Sequence, residues 1–145
     1  MTVYLGADHR GFKLKESVKK FLKLEGYTVV DLGAEALDPE DDYVDYAQKV
    51  AESIKADDRG IIFCGSGHGM DIVANRYPHI RSIIGFNFDV VVQGREHEDA
   101  NVLCLPTDWL DEEEVKDMGK TFLDTGTSHD SNHLRRREKL SALKV

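Results

Sequence analysis

The stretch "GIIFCGSGHGMDIVANR", residues 60–76, joins a short apolar run to a helical segment through a turn rich in glycine. The apolar residues 61–63 lead to Cys64, and three glycines then alternate with Ser66 and His68. Glycines between a strand and a helix let successive backbone N–H groups converge on one point, where the positive end of the helix adds partial charge. The stretch therefore predicts a βα unit whose loop suits an anion or a developing oxyanion.

The spacing of the glycines argues against the common nucleotide and phosphate loops. The pattern is G-x-G-x-G, formed by Gly65, Gly67 and Gly69, whereas dinucleotide-binding folds use G-x-G-x-x-G. The stretch has no G-K-[ST] of a Walker loop. Met70 stands six residues after the cysteine, where a phosphatase-type loop would have an arginine. Three familiar phosphate loops are therefore disfavoured.

Cys64 stands at the mouth of this loop and has two possible roles. Converging N–H groups and a helix start lower the pKa of a thiol from its free value of ~8.5, which favours a thiolate base or nucleophile. The alternative is a structural cysteine buried in a tight βα turn. From this stretch alone, both interpretations remain open.

Outside this stretch, predicted strands and helices alternate. Apolar runs predict strands over residues 2–7, 27–33, 60–64, 81–86 and 101–105. Helical patterns cover residues 11–26, 43–55, 88–94, 111–124 and 132–143, and a further helix starts near Gly69. Five strands that are each followed by a helix predict an α/β fold with a parallel sheet covered on both faces. The acidic segment 38–42 is predicted to be a solvated loop.

Two polar side chains stand at the carboxyl ends of predicted strands. Asp8 follows the first strand, and Cys64 ends the third. In parallel sheets of this type, ligands bind beyond the carboxyl ends of the strands, where the strand order reverses. If strands 1 and 3 flank that point, Asp8 and Cys64 share one crevice.

The totals of the chain limit its class. A length of 145 residues predicts one domain, and a formal net charge of −8 argues against nucleic-acid and membrane-surface partners. Two cysteines are too few for a disulfide scaffold, and no His/Cys spacing resembles a zinc site. We find neither the pattern of a secretory signal nor an apolar run long enough to span a bilayer, so a cytoplasmic location is expected.

Five segments of the chain are similar to motifs of one enzyme family. They are "GADHRGFKLK", "DYVDYA", "FCGSGHGMDIVANR", "REHEDANVLCLP" and "HLRRREKL". In this order they resemble the ribose-5-phosphate isomerase type B family, which includes subunits of galactose-6-phosphate isomerase. The resemblance covers almost the whole chain. It implies a single domain over residues 1–145, a Rossmann-like three-layer αβα sandwich with a five-stranded parallel sheet.

The resemblance also implies an activity and an assembly. Members of the family are aldose–ketose isomerases of sugar phosphates that need no metal or other cofactor. They are homodimers with active sites shared at the subunit interface, and a tetramer is the alternative assembly. By this resemblance the C-terminal helix, about 132–143, would lie at the dimer interface.

Four catalytic roles follow from the resemblance. Cys64 would be the base that moves a proton between C1 and C2 through an enediolate, and Ser66 would hydrogen-bond or protonate the enediolate oxygen. His97 would open the furanose ring, and Asp8 would orient the sugar and assist that step. Members that lack the thiol place a glutamate where Met70 or Asp71 stands here. These residue types suit the chemistry, because enolisation needs a base with an oxyanion stabiliser and ring opening needs a group that titrates near neutrality.

The remaining implied contacts bind the substrate. They come from His9, the backbone of Gly65, Gly67 and Gly69, His133 and Arg136. Two residues that depart from the family pattern, His68 and Glu98, are further candidates for substrate contact, and Glu98 has the alternative of pointing to solvent. His68 has the alternative role of capping the helix, and Cys104 is expected to be a core thiol. His97 precedes strand 5 and so lies near the amino edge of the sheet, whereas Cys64 lies at the carboxyl edge. We therefore expect His97 to reach the crevice of a partner subunit.

The chain departs from the family pattern at three positions. Asn132 and Asp108 stand where phosphate-binding arginines are usual, and Glu98 replaces an asparagine. Two cations and one amide are thus replaced by one amide and two acids. This loss of positive charge would weaken phosphate binding unless Arg10, Arg135 or Arg137 compensates. Instead of binding phosphate, residues 135–137 would then form a solvated cationic face of a helix.

Three functions therefore remain beside the isomerisation of ribose 5-phosphate and ribulose 5-phosphate. Asn132 and Asp108 would make room for a hexose 6-phosphate, such as galactose or allose 6-phosphate. The altered phosphate residues would also fit a non-catalytic sugar-phosphate-binding protein, although such a protein needs no thiol base. A redox protein built on Cys64 is disfavoured, because no second thiol is close in sequence.

Overall fold

The computed structural model describes residues 1–143, in which five strands alternate with helices. The strands are β1 Val3–Ala7, β2 Val29–Asp31, β3 Arg59–Cys64, β4 Ser82–Ile84 and β5 Val102–Pro106. The helices are α1 Phe12–Leu24, α2 Tyr43–Ser53, α3 His68–Ala74, α4 Phe88–Glu98, α5 Glu112–Asp124 and α6 Ser131–Ser141. The predicted α/β alternation is confirmed, including the helix after β4 despite its β-branched run. That helix ends at Glu98, four residues beyond the predicted end at residue 94.

All strand pairs are parallel, and the sheet has the order β2-β1-β3-β5-β4. The chain moves from β1 to one edge at β2, then returns to β3 and continues to the other edge. β1 and β3 are therefore neighbours at the point where the order reverses, with Ala7 opposite Phe63. This is the arrangement that places the ends of β1 and β3 beside one crevice.

The sheet separates two apolar cores, because successive side chains of each strand point to opposite faces. Ile61 and Phe63 pack on one face with α1, α4 and α5. Ile62 and Cys64 pack on the other face with α2 and α3. This arrangement confirms the three-layer αβα sandwich.

The two edge strands are shorter than the sequence predicts. β2 and β4 each have three residues, whereas the apolar runs suggested strands over 27–33 and 81–86. Each of them pairs with a single neighbour over three residues. Short edges leave few unpaired backbone groups for association with other chains.

Candidate active site

Cys64 ends β3 and lies at the base of the glycine loop, where its side chain is buried. Its Sγ accepts a hydrogen bond from the Gly67 N–H at 3.2 Å. Gly67 has φ +80°, a left-handed conformation that residues with a Cβ rarely adopt, which explains the glycine at this position. The neighbouring Ser66 Oγ accepts the His68 N–H at 3.3 Å. One loop N–H thus reaches the thiol, and the next one reaches the Ser66 hydroxyl.

The pKa of Cys64 is lowered from 9.0 to about 7. The main cause is the neighbouring Cys104 thiol, and the N–H groups of Met70 and Gly67 contribute in the same direction. Burial and the Asp8 carboxylate oppose this shift. This lower pKa increases the thiolate fraction of Cys64 at neutral pH over that of an ordinary cysteine.

Asp8 follows β1 and faces the same crevice. Its Oδ1 accepts the N–H groups of Arg10 and Gly11, both at 3.0 Å, so the carboxylate holds the turn that leads into α1. Burial raises the pKa of Asp8 above its ordinary value. The turn packs tightly on β3, since a Cβ on Gly11 would lie 2.3 Å from the Phe63 carbonyl oxygen. This close packing fixes the end of β1 beside the end of β3.

His9 is held by the acidic loop, which the sequence predicted to be solvated. The Nδ1 of His9 lies 2.7 Å from Asp41 Oδ1, and the His9 N–H donates to the same oxygen at 3.1 Å. The prediction for the loop is wrong at Asp41, whose side chain is only 4% exposed because it is drawn onto His9. The hydrogen bond to Asp41 raises the pKa of His9. Asp41 thus favours the protonated, cationic form of His9.

Arg10 places a cation beside the glycine loop. Its guanidinium covers Gly65 so closely that a Cβ there would lie 2.5 Å from Cζ. It also pairs with the Asp108 carboxylate, which follows β5. From the sequence, Arg10 is expected only to compensate for the missing phosphate-binding arginines. Its signal was its position directly after Asp8 and His9, at the end of a strand that borders the crevice.

A second group of predicted site residues lies at the amino edge of the sheet. His97 is in the last turn of α4, which runs back from the carboxyl edge, and its ring stacks on His133 with centroids 4.1 Å apart. Arg137 fastens α6 to this edge through the carbonyl oxygens of Glu96 and His97, at 3.2 and 3.1 Å. Within one chain, the structure therefore does not bring His97 or His133 to Cys64.

Glu98 and Arg136 belong to the same edge and are exposed. Glu98 lines a cavity of about 320 Å³ between the start of β4 and the end of α6. The cavity is also lined by Asn75, Arg81, Ser82, Ile83 and Leu140. The predicted site is thus divided between the two edges: Asp8, His9, Cys64 and the loop lie at one, and His97, Glu98, His133 and Arg136 at the other.

Two further observations concern membranes and metals. Among residues 1–143, no helix is long and apolar enough to cross a bilayer. In the same part of the chain, His, Cys, Asp and Glu form no group of three that could hold a metal ion.

Comparisons with known proteins agree with this fold. The family model described as Ribose/Galactose Isomerase matches residues 3–140. A probable ribose-5-phosphate isomerase B of Mycoplasma pneumoniae is 39% identical over 123 residues, which cover 83% of this chain and 81% of that protein. The structure of a ribose 5-phosphate isomerase from Thermotoga maritima is 38% identical with a TM-score of 0.91 and covers 98% of both chains. The structure of ribose-5-phosphate isomerase B from Mycoplasma genitalium, with bound ribulose-5-phosphate, is 30% identical with a TM-score of 0.87, over 97% of this chain and 93% of that one.

Proposed function

The chain belongs to the ribose/galactose isomerase family, and from this membership we propose that it interconverts ribose 5-phosphate and ribulose 5-phosphate. The observation that carries the proposal is Cys64, a buried thiol with a pKa of about 7 beside a loop of backbone donors. Moving a proton between C1 and C2 of a sugar requires a base and hydrogen-bond donors for the developing oxyanion. This loop supplies both.

The reaction begins with the open-chain aldose above the loop. The Cys64 thiolate takes the proton from C2, and the electron pair of the C–H bond forms an enediolate with its negative charge on O1. The Ser66 hydroxyl and those loop N–H groups that are not bonded to Cys64 or Ser66 stabilise that charge and support transfer of the O2 proton to O1. The Cys64 thiol then returns its proton to C1, which yields the ketose and regenerates the thiolate. Atoms and electrons balance without a cofactor.

The other residues at the carboxyl edge position the substrate. Asp8 uses one carboxylate oxygen for the backbone of Arg10 and Gly11, and its second oxygen serves the sugar hydroxyls. His9 and Arg10 are the cations of this edge, and they bind the phosphate together with residues of a second copy. Arg10 thereby replaces the cation that is usual at the position of Asp108.

Ring opening uses His97 of a second copy in a homodimer. This part of the proposal is supported by the position of His97 at the opposite edge of the sheet from Cys64, with His133 and Arg136 near it. It is also supported by α6, none of whose residues is buried in the single chain. Leu134 and Leu140 on this helix are 40% and 44% exposed. A second copy that covers α6 would bury these leucines and bring His97 to a crevice.

The direct test is isomerisation of ribose 5-phosphate, followed together with exchange of the C2 hydrogen for deuterium from solvent. Cys64→Ala removes the base and should reduce both rates by about 10²–10⁴-fold, and Cys64→Ser should lose most of the rate because a hydroxyl is a poor base. His129→Ala is the matched control, since His129 is exposed and has no assigned role. Near wild-type activity in Cys64→Ala would refute the proposed mechanism.

Mixed dimers test the shared site. Chains with Cys64→Ala and chains with His97→Ala should each be inactive on the furanose form. Their mixture should regain activity, because one interface then holds an intact Cys64 and an intact His97. If the mixture stays as inactive as the separate variants, the two residues do not act in one shared site.

The same assay separates the alternative functions. Faster turnover of galactose or allose 6-phosphate than of ribose 5-phosphate would assign the chain to hexose phosphates. Binding of ribose 5-phosphate without C2 exchange would identify a non-catalytic binding protein.

A further inference from the structure

Cys104 lies directly beneath the glycine loop and touches its central residue. It belongs to β5, the neighbour of β3, and is completely buried. Its S–H donates to the Gly67 carbonyl oxygen at 3.1 Å. The N–H of the same Gly67 donates to Cys64 Sγ at 3.2 Å. One left-handed glycine is thus held between two thiols.

The strand register explains why the two thiols meet at this glycine. Cys104 is opposite Ile62, and Cys64 is opposite Pro106, so the cysteines are two residues apart on neighbouring strands. Side chains two residues apart point to the same face of a sheet. Both sulfurs therefore lie on the face covered by α2 and α3, where Gly67 opens α3.

Ordinary packing does not account for this contact. A core thiol needs only apolar neighbours, whereas the single S–H of Cys104 lies between two acceptors. One is the Gly67 carbonyl oxygen, which also accepts the Asp71 N–H at 3.1 Å, and the other is the Cys64 sulfur, whose pKa the Cys104 thiol lowers. Because Gly67 has no side chain, its peptide groups depend on such hydrogen bonds for their orientation. The Gly67 carbonyl and the Gly67 N–H belong to adjacent peptide planes, and the two thiols contact one plane each.

We propose that Cys104 is a positioning residue for Cys64: its thiol stays protonated, lies against both Gly67 and the Cys64 sulfur, and so favours the thiolate form of Cys64. The inference deepens the proposed function, because it explains how the base of that reaction is kept ionised. Cys104 itself does not touch the substrate, since it is sealed beneath the loop.

The ionisation of the two thiols agrees with this division of roles. The pKa of Cys64 is about 7, whereas the neighbouring Cys64 sulfur and burial raise the pKa of Cys104 well above 9.0. The other charged groups around the pair are Asp8 at the end of β1, Asp71 on α3 and Arg10 over Gly65. Both carboxylates disfavour negative charge on the thiols, and Asp71 acts on Cys104. The proton therefore remains on Cys104 while Cys64 ionises.

The experiment is the pH dependence of alkylation of Cys64 by iodoacetamide, measured without substrate. The wild-type profile should have its midpoint near pH 7. Cys104→Val keeps an apolar side chain but removes the donor, and should raise that midpoint by roughly one pH unit, the effect of one lost hydrogen bond. Alkylation at pH 7 should then be about fivefold slower. Cys104→Ser keeps a donor and should stay near the wild-type midpoint, and Cys64→Ala should abolish the signal.

Three outcomes decide the inference. A raised midpoint in Cys104→Val together with a retained midpoint in Cys104→Ser supports it. Equal midpoints in the wild type and Cys104→Val overturn it and leave Cys104 a packing residue. If Cys104→Val does not fold, Cys104→Ala takes its place, and equal midpoints in Cys104→Ala and Cys104→Ser overturn the inference in the same way. Since alkylation needs no sugar, this test can fail while isomerisation is intact, and isomerisation can fail while the thiol shift is intact.

Discussion

Replacing Arg10 by alanine tests how this chain binds a phosphate at the carboxyl edge. Arg10 covers Gly65 and pairs with Asp108. A guanidinium has five N–H donors, so the pairing with Asp108 leaves others for a ligand. Arg10→Ala should therefore weaken the binding of phosphorylated sugars while sparing proton transfer at C1 and C2.

The magnitude follows from the exposure of the side chain. A hydrogen bond to a charged group contributes about 1.5–3 kcal/mol, and solvent screening reduces this value at exposed sites. The Arg10 side chain is 54% exposed, so we expect the lower end of the range. A loss of about 1.5 kcal/mol corresponds to roughly tenfold in affinity.

The assay compares ligands that differ in the phosphate. For Arg10→Ala, KM for ribose 5-phosphate and the inhibition constant of inorganic phosphate should both rise about tenfold, with kcat little changed. Turnover of ribose, which has no phosphate, should be unaffected. Asp108→Asn is the matched control, because it breaks the same ion pair but keeps the cation.

The control also defines the result that would refute the argument. If Arg10 acts by binding phosphate, the Asp108→Asn variant should bind inorganic phosphate at least as tightly as the wild type does. If Arg10 only fastens the turn through its ion pair, Asp108→Asn and Arg10→Ala should be equally impaired, and ribose turnover should fall with both.

Three further predictions concern stability and ionisation. The pKa of Cys64 is near 7 in the folded protein, whereas its ordinary value is 9.0. The thiolate should therefore stabilise the fold by about 2–3 kcal/mol above pH 9, and this contribution should be lost as the pH falls through 7. Measuring the free energy of unfolding of the wild type and of Cys64→Ala across this pH range tests the expectation. Gly11→Ala should lower the free energy of unfolding by about 1–3 kcal/mol, because its Cβ would meet the Phe63 carbonyl. Asp41→Asn should return the pKa of His9 toward 6.5, as measured by NMR titration of its ring, and an unchanged pKa would contradict the assigned ion pair.

The fold could be predicted because its signals are local. Apolar runs of strand length alternate with helical periodicity, and this alternation permits little besides a parallel sheet covered on both faces. Strand ends at the edges of the sheet could not be predicted, because the extent of β2 and β4 is set by a single neighbouring strand. The order of β4 and β5 in the sheet is likewise a property of tertiary packing.

The geometry of the candidate site could be predicted where its residues lie in one segment of the chain. Cys64, Ser66 and the glycines lie in one continuous loop, and their hydrogen bonds follow from that spacing. The contacts of Asp41 with His9 and of Cys104 with Gly67 join residues 32 and 37 positions apart. No periodicity in the sequence connects such pairs. The contact of Asp41 with His9 and the contact of Cys104 with Gly67 therefore become visible only in the folded structure.

The division of the site between two edges of the sheet sets the smallest assembly that can complete the proposed reaction. β3 has six residues, so its ends are roughly 17 Å apart, and each chain has Cys64, the proposed base, at one end and His97, the proposed ring-opening group, toward the other. No side chain spans that distance through a packed core. In the proposed mechanism, one chain therefore supplies the groups for proton transfer in an open-chain sugar, whereas opening of a furanose would also use His97 from a second copy. Cys104, which contacts Gly67, and Arg10, which covers Gly65, belong to the same chain as Cys64.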